Sequence, residues 1–230
     1  MLEGENDLKR SEINAAIRAM EDLTEGLCVS LPPFCRYTPE QWQSFGSEYD
    51  EIRVNRLGWD ITDYGTGDFD KTGFALITLR NGDLTGNKDI RTYAEKLLML
   101  KEGQHSPMHF HWHKQEDIIN RGGGNLIITL YASTEEEGLS TEDLTVSCDG
   151  VKYQLKSGES ITLTPGESIT LIPRLYHDFR VEEGSGDVLI GEVSTVNDDE
   201  RDNRFLEPVG RFPEIEEDEP PYRLLCTEYP

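Results

Sequence analysis

Apolar residues near the start of the chain recur at helical spacing, whereas later ones form short runs typical of strands. The early set lies three or four positions apart and comprises Ile13, Ala16, Ile17, Met20 and Leu23. This spacing predicts an amphipathic helix, with Ser11 as its N-cap and Gly26 as its stop signal. After a proline-containing break, residues 39–42 predict the start of a second, short helix.

Beyond residue 50 the pattern changes to short apolar runs separated by glycine, asparagine and aspartate. Residues 73–79 form one run, and residues 94–100 form another. For the second run a helix stays open, because the run is rich in good helix formers. Residues 116–119 and 126–131 predict two further strands, joined by a turn at residues 121–125.

An eight-residue repeat supports a β-rich fold. GESITLTP at residues 158–165 recurs as GESITLIP at residues 166–173, which predicts two equal strands opened by glycine turns and closed by proline. Short strands at this spacing are typical of a β-sandwich or barrel. We expect an all-β domain with a helical extension at residues 1–50 and a barrel at residues 51–230, ending in a solvated acidic arm near residues 214–221.

The apolar stripe of the first helix requires a surface that covers it. We expect the helix to pack outside the barrel, with Ile13, Ile17 and Met20 against a partner surface. A subunit interface would supply such a surface, and a homodimer is therefore predicted.

Charge and cysteine content narrow the classes of partner and compartment. The 230 residues carry a net charge of -23, which excludes nucleic acid and anionic membranes and favours neutral or cationic small molecules. The four cysteines form no C-x-x-C pair, so neither a disulfide framework nor a zinc ribbon is indicated. The sequence also has no signal-peptide pattern and no membrane-length apolar stretch, and we expect a cytoplasmic protein.

Four of the five histidines fall inside nine residues, and they suggest a metal site. Alternate side chains of a strand share a face, so His109 and His111 are expected to project side by side. Glu116 follows after a four-residue gap and is expected to return on the partner strand of a hairpin. Together with the distant His177, these residues form a set of three imidazoles and one carboxylate for a divalent first-row metal.

The spacing of these ligands resembles the cupin family. From Gly103 to Gly123 the sequence reads G-x5-H-x-H-x4-E-x6-G, which matches the first cupin motif at every specified position. Gly166, Pro173 and His177 resemble the second motif, although the stretch before the proline is one residue longer, the step after it one shorter, and the final asparagine is displaced.

The cupin resemblance implies a small double-stranded β-barrel at residues 70–200, with the metal inside it. His105 and His113 are not required by the motif, so each is expected either to support a ligand or to lie at the surface.

Two longer segments resemble the D-lyxose isomerase family within the cupins. They are EGQHSPMHFHWHKQEDIINRGGGNL and GEVSTVNDDERDNRFLEPVGRFPEIEEDEPP. The resemblance implies a metal-dependent sugar isomerase, usually dimeric and typically using manganese, that interconverts D-lyxose with D-xylulose and D-mannose with D-fructose. Because divalent affinities follow one order in such sites, Co²⁺, Ni²⁺, Fe²⁺ and Zn²⁺ stay open as alternatives to Mn²⁺.

Isomerisation requires a polarised carbonyl and a base that reaches a carbon-bound proton. A divalent ion with open positions chelates two adjacent sugar oxygens and acts as a Lewis acid. Lys114, between two predicted ligands, is expected near the ion with a lowered pKa suited to acid–base chemistry. The family resemblance selects Glu207 as the proton-transfer base. Weaker candidates for contacts with the sugar are Arg211, Asp198 and Glu192.

Two other functions use the same ligand set. A cupin dioxygenase or oxalate-degrading enzyme would activate oxygen at the metal, and a sugar-binding cupin would catalyse nothing. Ketose formation without oxygen would identify an isomerase, whereas no turnover would favour a binding protein.

Overall fold

Helices occur near the N-terminal end of the described chain. The computed structural model describes residues 8–82, 91–199, 201–210 and 215–230. Its helices and 3₁₀ turns are α1 (Arg10–Gly26), a 3₁₀ turn (Pro33–Arg36), α2 (Pro39–Trp42), a second 3₁₀ turn (Ser47–Tyr49) and α3 (Asp50–Val54). Among the described residues, no helix is both long enough and apolar enough to cross a membrane.

The rest of the described chain is built mainly from strands and their connections. The strands are β1 (Leu8–Lys9), β2 (Gly58–Thr62), β3 (Phe74–Arg80), β4 (Tyr93–Leu100), β5 (His109–His111), β6 (Glu116–Gly123), β7 (Leu126–Ala132), β8 (Leu144–Cys148), β9 (Val151–Leu155), β10 (Ser160–Leu163), β11 (Ser168–Leu171), β12 (Leu175–Val181), β13 (Val188–Thr195), β14 (Asn203–Phe205) and β15 (Ile215–Glu216).

Two antiparallel sheets form the barrel. One has eight strands in the order β2-β3-β4-β13-β6-β11-β8-β9, and the other has five in the order β10-β7-β12-β5-β14. Apolar side chains from both sheets, such as Leu98, Ile118, Ile128 and Phe179, pack in one core. The predicted all-β double-stranded barrel with an N-terminal helix is confirmed. Its sheets begin at β2 and include β14, and they are therefore wider than residues 70–200.

Residues 94–100, for which a helix was the alternative, form part of strand β4. Leu98 and Leu100 belong to the barrel core, whereas Leu97 and Met99 pack on the opposite face, in the core that contains α1. A strand covered on both faces is apolar throughout, so its sequence lacks the alternation that marks a half-exposed strand.

Helix α1 begins earlier than predicted. Lys9 is its N-cap, and the Glu12 carboxylate accepts a hydrogen bond from the Lys9 N–H at 2.9 Å. The prediction of Ser11 as N-cap was wrong: its N–H and hydroxyl donate to the Asp218 carboxylate at 2.9 and 2.7 Å. This partner lies far along the chain, which local spacing does not reveal. The helix ends at Gly26, as predicted.

The apolar stripe of α1 finds its partner surface within the same chain. Ile13, Ile17 and Met20 are fully buried. They belong to a second core that includes Trp59 and Met99 of the eight-stranded sheet. The reason given for a subunit interface was therefore wrong, because the barrel itself covers the helix. The homodimer stays a prediction.

The acidic arm lies against α1. Strand β15 pairs in parallel with β1, and the buried Arg10 forms ion pairs with Glu217 at 2.6 Å and with Glu228. The Asn14 amide donates to Glu219 at 2.6 Å. Residues 216–220 are exposed, as expected of a surface arm, and carboxylates of the arm also bind the helix. The domain division at residue 50 stays a prediction.

The repeated segment forms the equal strands β10 and β11, as predicted. Gly158 and Gly166, in the turns before them, have φ of +81° and +101°, which glycine adopts without a steric cost. The copies pair differently, β10 with β7 and β11 with β6 and β8. Asn120 of β6 contacts both copies. Its side-chain amide donates a hydrogen bond to Leu163 O, and its main-chain carbonyl accepts one from Gly166 N, each at 2.8 Å.

The turn expected at residues 121–125 is shorter, because β6 continues to Gly123. Its register against β13 shifts at Arg121, which is consistent with a bulge. Gly123 has φ of +91°, and a Cβ there would lie 2.1 Å from the Asp187 carbonyl oxygen. Glycine is therefore required because two backbones approach each other closely. From the sequence alone, such a glycine cannot be distinguished from one that marks a turn.

Truncating the stripe tests whether the barrel covers α1. Ile17→Ala should lower the free energy of unfolding by about 2–5 kcal/mol, the usual cost of a cavity in a packed core. Val54→Ala, at a side chain that is 78% exposed, is the control and should stay within about 0.5 kcal/mol. Urea unfolding measures both. A near-neutral Ile17→Ala variant whose subunits dissociate would show that the stripe is an interface instead.

Candidate metal centre

Three histidines from two adjacent strands converge inside the barrel. His109 and His111 lie on β5, and His177 of β12 is directly opposite His109. One ring nitrogen of each lies within 4.8 Å of the other two, and all three side chains are buried. Burial and the neighbouring imidazoles hold the pKa of His109 well below its usual value, so that its ring is neutral.

Main-chain carbonyl groups orient the three imidazoles. Nδ1 of His109 donates a hydrogen bond to the Pro107 carbonyl at 2.8 Å. Nδ1 of His111 donates to the Asp202 carbonyl at 3.1 Å, and Nδ1 of His177 donates to the Leu175 carbonyl at 3.0 Å. Because a carbonyl only accepts, each Nδ1 carries a proton, which leaves Nε2 as the ring nitrogen that can bind a metal. The Nε2 atom of His177 is buried and forms no hydrogen bond of acceptable geometry among the described residues, although Glu116 Oε1 lies 3.3 Å away. Such an atom requires an explanation, and a bound cation provides one.

Glu116 adds a carboxylate from the other sheet. Its Oε1 lies 3.4 Å from Nε2 of His111 and 3.3 Å from Nε2 of His177. Burial raises the pKa of Glu116, but Lys114 and His111 outweigh it, so the pKa lies well below its usual value. The group is therefore a carboxylate. The structure brings the four predicted ligands together, and their coordination of an ion stays a prediction.

The connection between His111 and Glu116 is a crossing between sheets, so the predicted hairpin was wrong. Strand β5 pairs with β12 and β14, whereas β6 pairs with β13 and β11. The Asp202 carboxylate accepts hydrogen bonds from the backbone N–H groups of His113 and Lys114 at 2.9 and 2.8 Å. These bonds replace the pairing that a hairpin would have supplied.

The glycine that opens the motif has a conformational role. Gly103 has φ of +91° in a turn closed by a 3.0 Å hydrogen bond from Gln104 N to Lys101 O. Together with Gly123, it explains why the motif specifies glycine on both sides of the ligands.

A buried lysine contacts the carboxylate ligand. Lys114 Nζ lies 2.7 Å from Glu116 Oε2, 2.9 Å from Glu192 Oε1 and 3.4 Å from Asn197 Oδ1. Burial lowers the pKa of Lys114, but the carboxylates of Glu116, Glu192 and Asp199 outweigh it and raise the pKa above its usual value. Without an ion the surrounding carboxylates therefore set the direction, and the lowering of the Lys114 pKa by a bound cation stays a prediction.

The cavity in front of the histidines has polar and apolar lining groups. The polar groups, besides the histidines and Glu116, are Asp60, Thr62, Lys96, Lys114, Glu192, Asp199 and Asn203. The other lining residues are Tyr64, Phe74, Leu76, Leu98, Phe179 and Phe205. Such a combination suits a small polyol, whose hydroxyl groups need partners and whose carbon backbone packs against apolar surface.

Two of these lining residues, Lys96 and Asp199, were missed by the sequence analysis. Lys96 lies between Ala94 and Leu98, at a position of β4 that faces the barrel core. A lysine at a core position of an apolar strand is a usable signal, because lysine is almost never fully buried unless it is paired. Asp199 carried no comparable signal, since it is one of many acidic residues in its segment.

The remaining predicted residues lie in different environments. Glu192 is buried and lines the cavity. Asp198 is half-buried, and Glu207 is exposed; neither is among the described lining residues. Arg211 lies outside the described residues. The roles assigned to these four residues stay predictions.

The donor set fits a divalent first-row cation. Neutral imidazoles and a carboxylate are ligands that Mn²⁺, Fe²⁺, Co²⁺, Ni²⁺ and Zn²⁺ accept. The unpartnered Nε2 of His177 points to the same conclusion. His109, His111, His177 and Glu116 would hold the ion.

Comparison with known proteins agrees with the sequence resemblance. The family model described as D-lyxose isomerase matches residues 8–229. A D-lyxose/D-mannose isomerase of Serratia proteamaculans is 48% identical over 223 residues, covering 96% of this chain and 98% of the relative. The corresponding protein of Escherichia coli O157:H7 is 46% identical over the same coverage.

Solved structures with the same fold are more distant in sequence. The L-ribose isomerase of Geodermatophilus obscurus superposes with a TM-score of 0.59 at 15% identity, covering 93% of this chain and all of that one. An L-ribose isomerase of Acinetobacter sp. DL28, in complex with L-ribose, superposes with a TM-score of 0.57 at 17% identity, covering 88% of this chain and 94% of that one. At this identity the likeness supports the shared fold.

Removing two imidazoles should empty the metal centre. The double variant His109→Ala, His111→Ala loses two of four ligands and should no longer copurify with a divalent metal, as measured by elemental analysis. His113→Ala is the matched control, because that side chain is exposed and outside the cavity. One retained metal per chain in the double variant would refute the ligand assignment.

Proposed function

The chain belongs to the D-lyxose isomerase family, and we propose that it converts D-lyxose to D-xylulose and D-mannose to D-fructose. The observation that carries the proposal is the convergence of three buried imidazoles, two of them next to the Glu116 carboxylate, beside a cavity that contains a buried lysine. The two aldoses share their configuration from C2 to C4, and the D-mannose chain is longer by one carbon. One site can therefore act on the same reacting atoms in both sugars.

A divalent ion held by the four ligands supplies Lewis-acid polarisation of the sugar carbonyl. We propose Mn²⁺ as that ion, with Co²⁺, Ni²⁺, Fe²⁺ and Zn²⁺ as alternatives. The chain itself must then hold the sugar and move a proton between C2 and C1.

Glu192 is the proposed base for this proton. It is buried, faces the cavity and accepts from Lys114 at 2.9 Å, so its carboxylate is held in a defined direction. Lys114 is proposed as the group that holds a reacting sugar oxygen, since its ammonium lies in the cavity between Glu116 and Glu192. Glu207, the base selected by the family resemblance, is the competing candidate for the proton transfer.

We further propose a cytoplasmic homodimer. All four cysteines are free thiols, which agrees with a reducing compartment. The dimer rests on the family resemblance, because the stripe of α1 no longer supports it.

A panel of aldopentoses and aldohexoses tests the reaction. Metal-loaded protein without oxygen should form ketose from D-lyxose and D-mannose, as measured by chromatography, and chelation of the metal should abolish it. Turnover that requires oxygen would indicate an oxygen-activating cupin enzyme. Sugar binding without any product would indicate a binding protein.

Two conservative variants separate the candidate bases. Glu192→Gln should keep its metal and lose roughly 10²–10⁴-fold in kcat, the contribution of a positioned acid–base group. Glu207→Gln, the matched control, should stay near the parent because its side chain is exposed. The opposite ranking would assign the proton transfer to Glu207. Lys114→Met should also lose kcat, and full activity would remove Lys114 from the mechanism.

A further inference from the structure

Lys96 is a buried cation that the proposed proton transfer does not use. It lies in the middle of β4 and is 3% exposed. Its Nζ donates to both carboxylate oxygens of Asp199, each at 3.1 Å. A buried ammonium at a position of β4 that faces the barrel core is costly, and replacing a buried ion pair by apolar side chains is often neutral or stabilising. The ion pair therefore calls for a role other than stability.

Asp199 is a carboxylate at the opening of the cavity. It lies on the connection between β13 and β14, its side chain is 35% exposed, and it lines the cavity. Hydrogen bonds hold the backbone of this connection on both sides of Asp199. The side chain of Asn81 accepts a hydrogen bond from the Asn197 backbone N–H at 3.0 Å and donates one to the Asn197 carbonyl at 3.1 Å. The Asn203 side-chain amide donates to the Asp199 carbonyl at 3.1 Å. These bonds fix the backbone, whereas Lys96 and the side chain of Asn197 hold the carboxylate.

The position of Lys96 also continues an alternation of charge. Lys114 lies between the carboxylates of Glu116 and Glu192, and Lys96 is the cross-strand neighbour of Glu192. Asp199 follows as the next anion. Carboxylates and ammonium groups thus alternate from the metal centre to the opening.

We propose that Lys96 is a positioning residue that holds the Asp199 carboxylate in the cavity, where it accepts a hydrogen bond from a hydroxyl group of the bound sugar. This inference rests on the proposed function. An ionised carboxylate accepts hydrogen bonds and does not donate, which suits a sugar hydroxyl.

Electrostatics support this geometry. Burial raises the pKa of Asp199, but Lys96 and Lys114 outweigh it and lower the pKa below its usual value. Other titratable groups near Asp199 include Asp60 and Glu192 in the cavity, and Cys226. Removing Lys96 would leave Lys114 as the remaining ammonium group that lowers the pKa of Asp199.

The test compares Lys96→Met with Lys101→Met. The control removes the same charge next to the end of β4, at a residue outside the cavity. Lys96→Met should keep its metal and raise KM for D-lyxose roughly 10- to 100-fold, the usual effect of losing a hydrogen bond to a charged group. The change in kcat should be smaller, and Lys96→Arg should recover part of the loss. An unchanged KM in Lys96→Met would overturn the proposal.

A double-mutant cycle decides whether Lys96 acts through Asp199. The double variant Lys96→Met, Asp199→Asn should bind sugar no more weakly than Asp199→Asn alone, whereas additive losses would overturn the proposal. Asp199→Asn leaves a buried ammonium without its partner. If that variant does not fold, the comparison of Lys96→Met with Lys96→Arg decides.

The pH profile and a carboxylate titration give independent readouts. In Lys96→Met the acid limb of kcat/KM should move to higher pH, because the carboxylate loses the cation that keeps it ionised. Carbon NMR of Asp199 should show the same upward shift without any turnover. An inactive parent protein would refute the proposed function and leave this titration as the test. Identical titration in both proteins would refute the inference.

Discussion

The candidate centre depends on one short crossing of the chain between the two sheets. Residues 112–115 connect β5, which carries two imidazoles, to β6, which begins with the carboxylate. The short connection keeps Glu116 close to His111 and His177, which lie on the other sheet. Asp202 makes the crossing rigid, because its carboxylate binds two N–H groups of the connection and its carbonyl orients His111. One residue thus supports both the path of the chain and the tautomer of a ligand.

The parts of the fold that local patterns encode could be predicted from the sequence. The first helix, its end at Gly26, the equal repeated strands and the ligand spacing each depend on a few neighbouring residues. The errors concern partners distant in sequence. Ser11 donates hydrogen bonds to Asp218, and Glu116 begins a strand of the other sheet. Spacing alone does not identify such partners.

The same distinction applies to the site. Motif spacing was sufficient to select four side chains that the structure brings together. It could not reveal the environment of Lys114, because Glu192 and Asp199 reach that ammonium from β13 and the connection after it. The sign of a pKa shift depends on all surrounding charges, and the spacing of the motif identifies only one of them, the bound cation.

The repeated strands have a consequence for the folding pathway. Since both copies read GESITL, their own side chains do not choose between β7 and β6 as partners. A nascent barrel with the partners exchanged would bury the same hexapeptides, so partner exchange is an internal competitor of the native topology. Residues outside the copies must discriminate between the two arrangements. Asn120 is positioned to do so, since its bonds to Leu163 and Gly166 require the first copy to end, and the second to begin, at the same place.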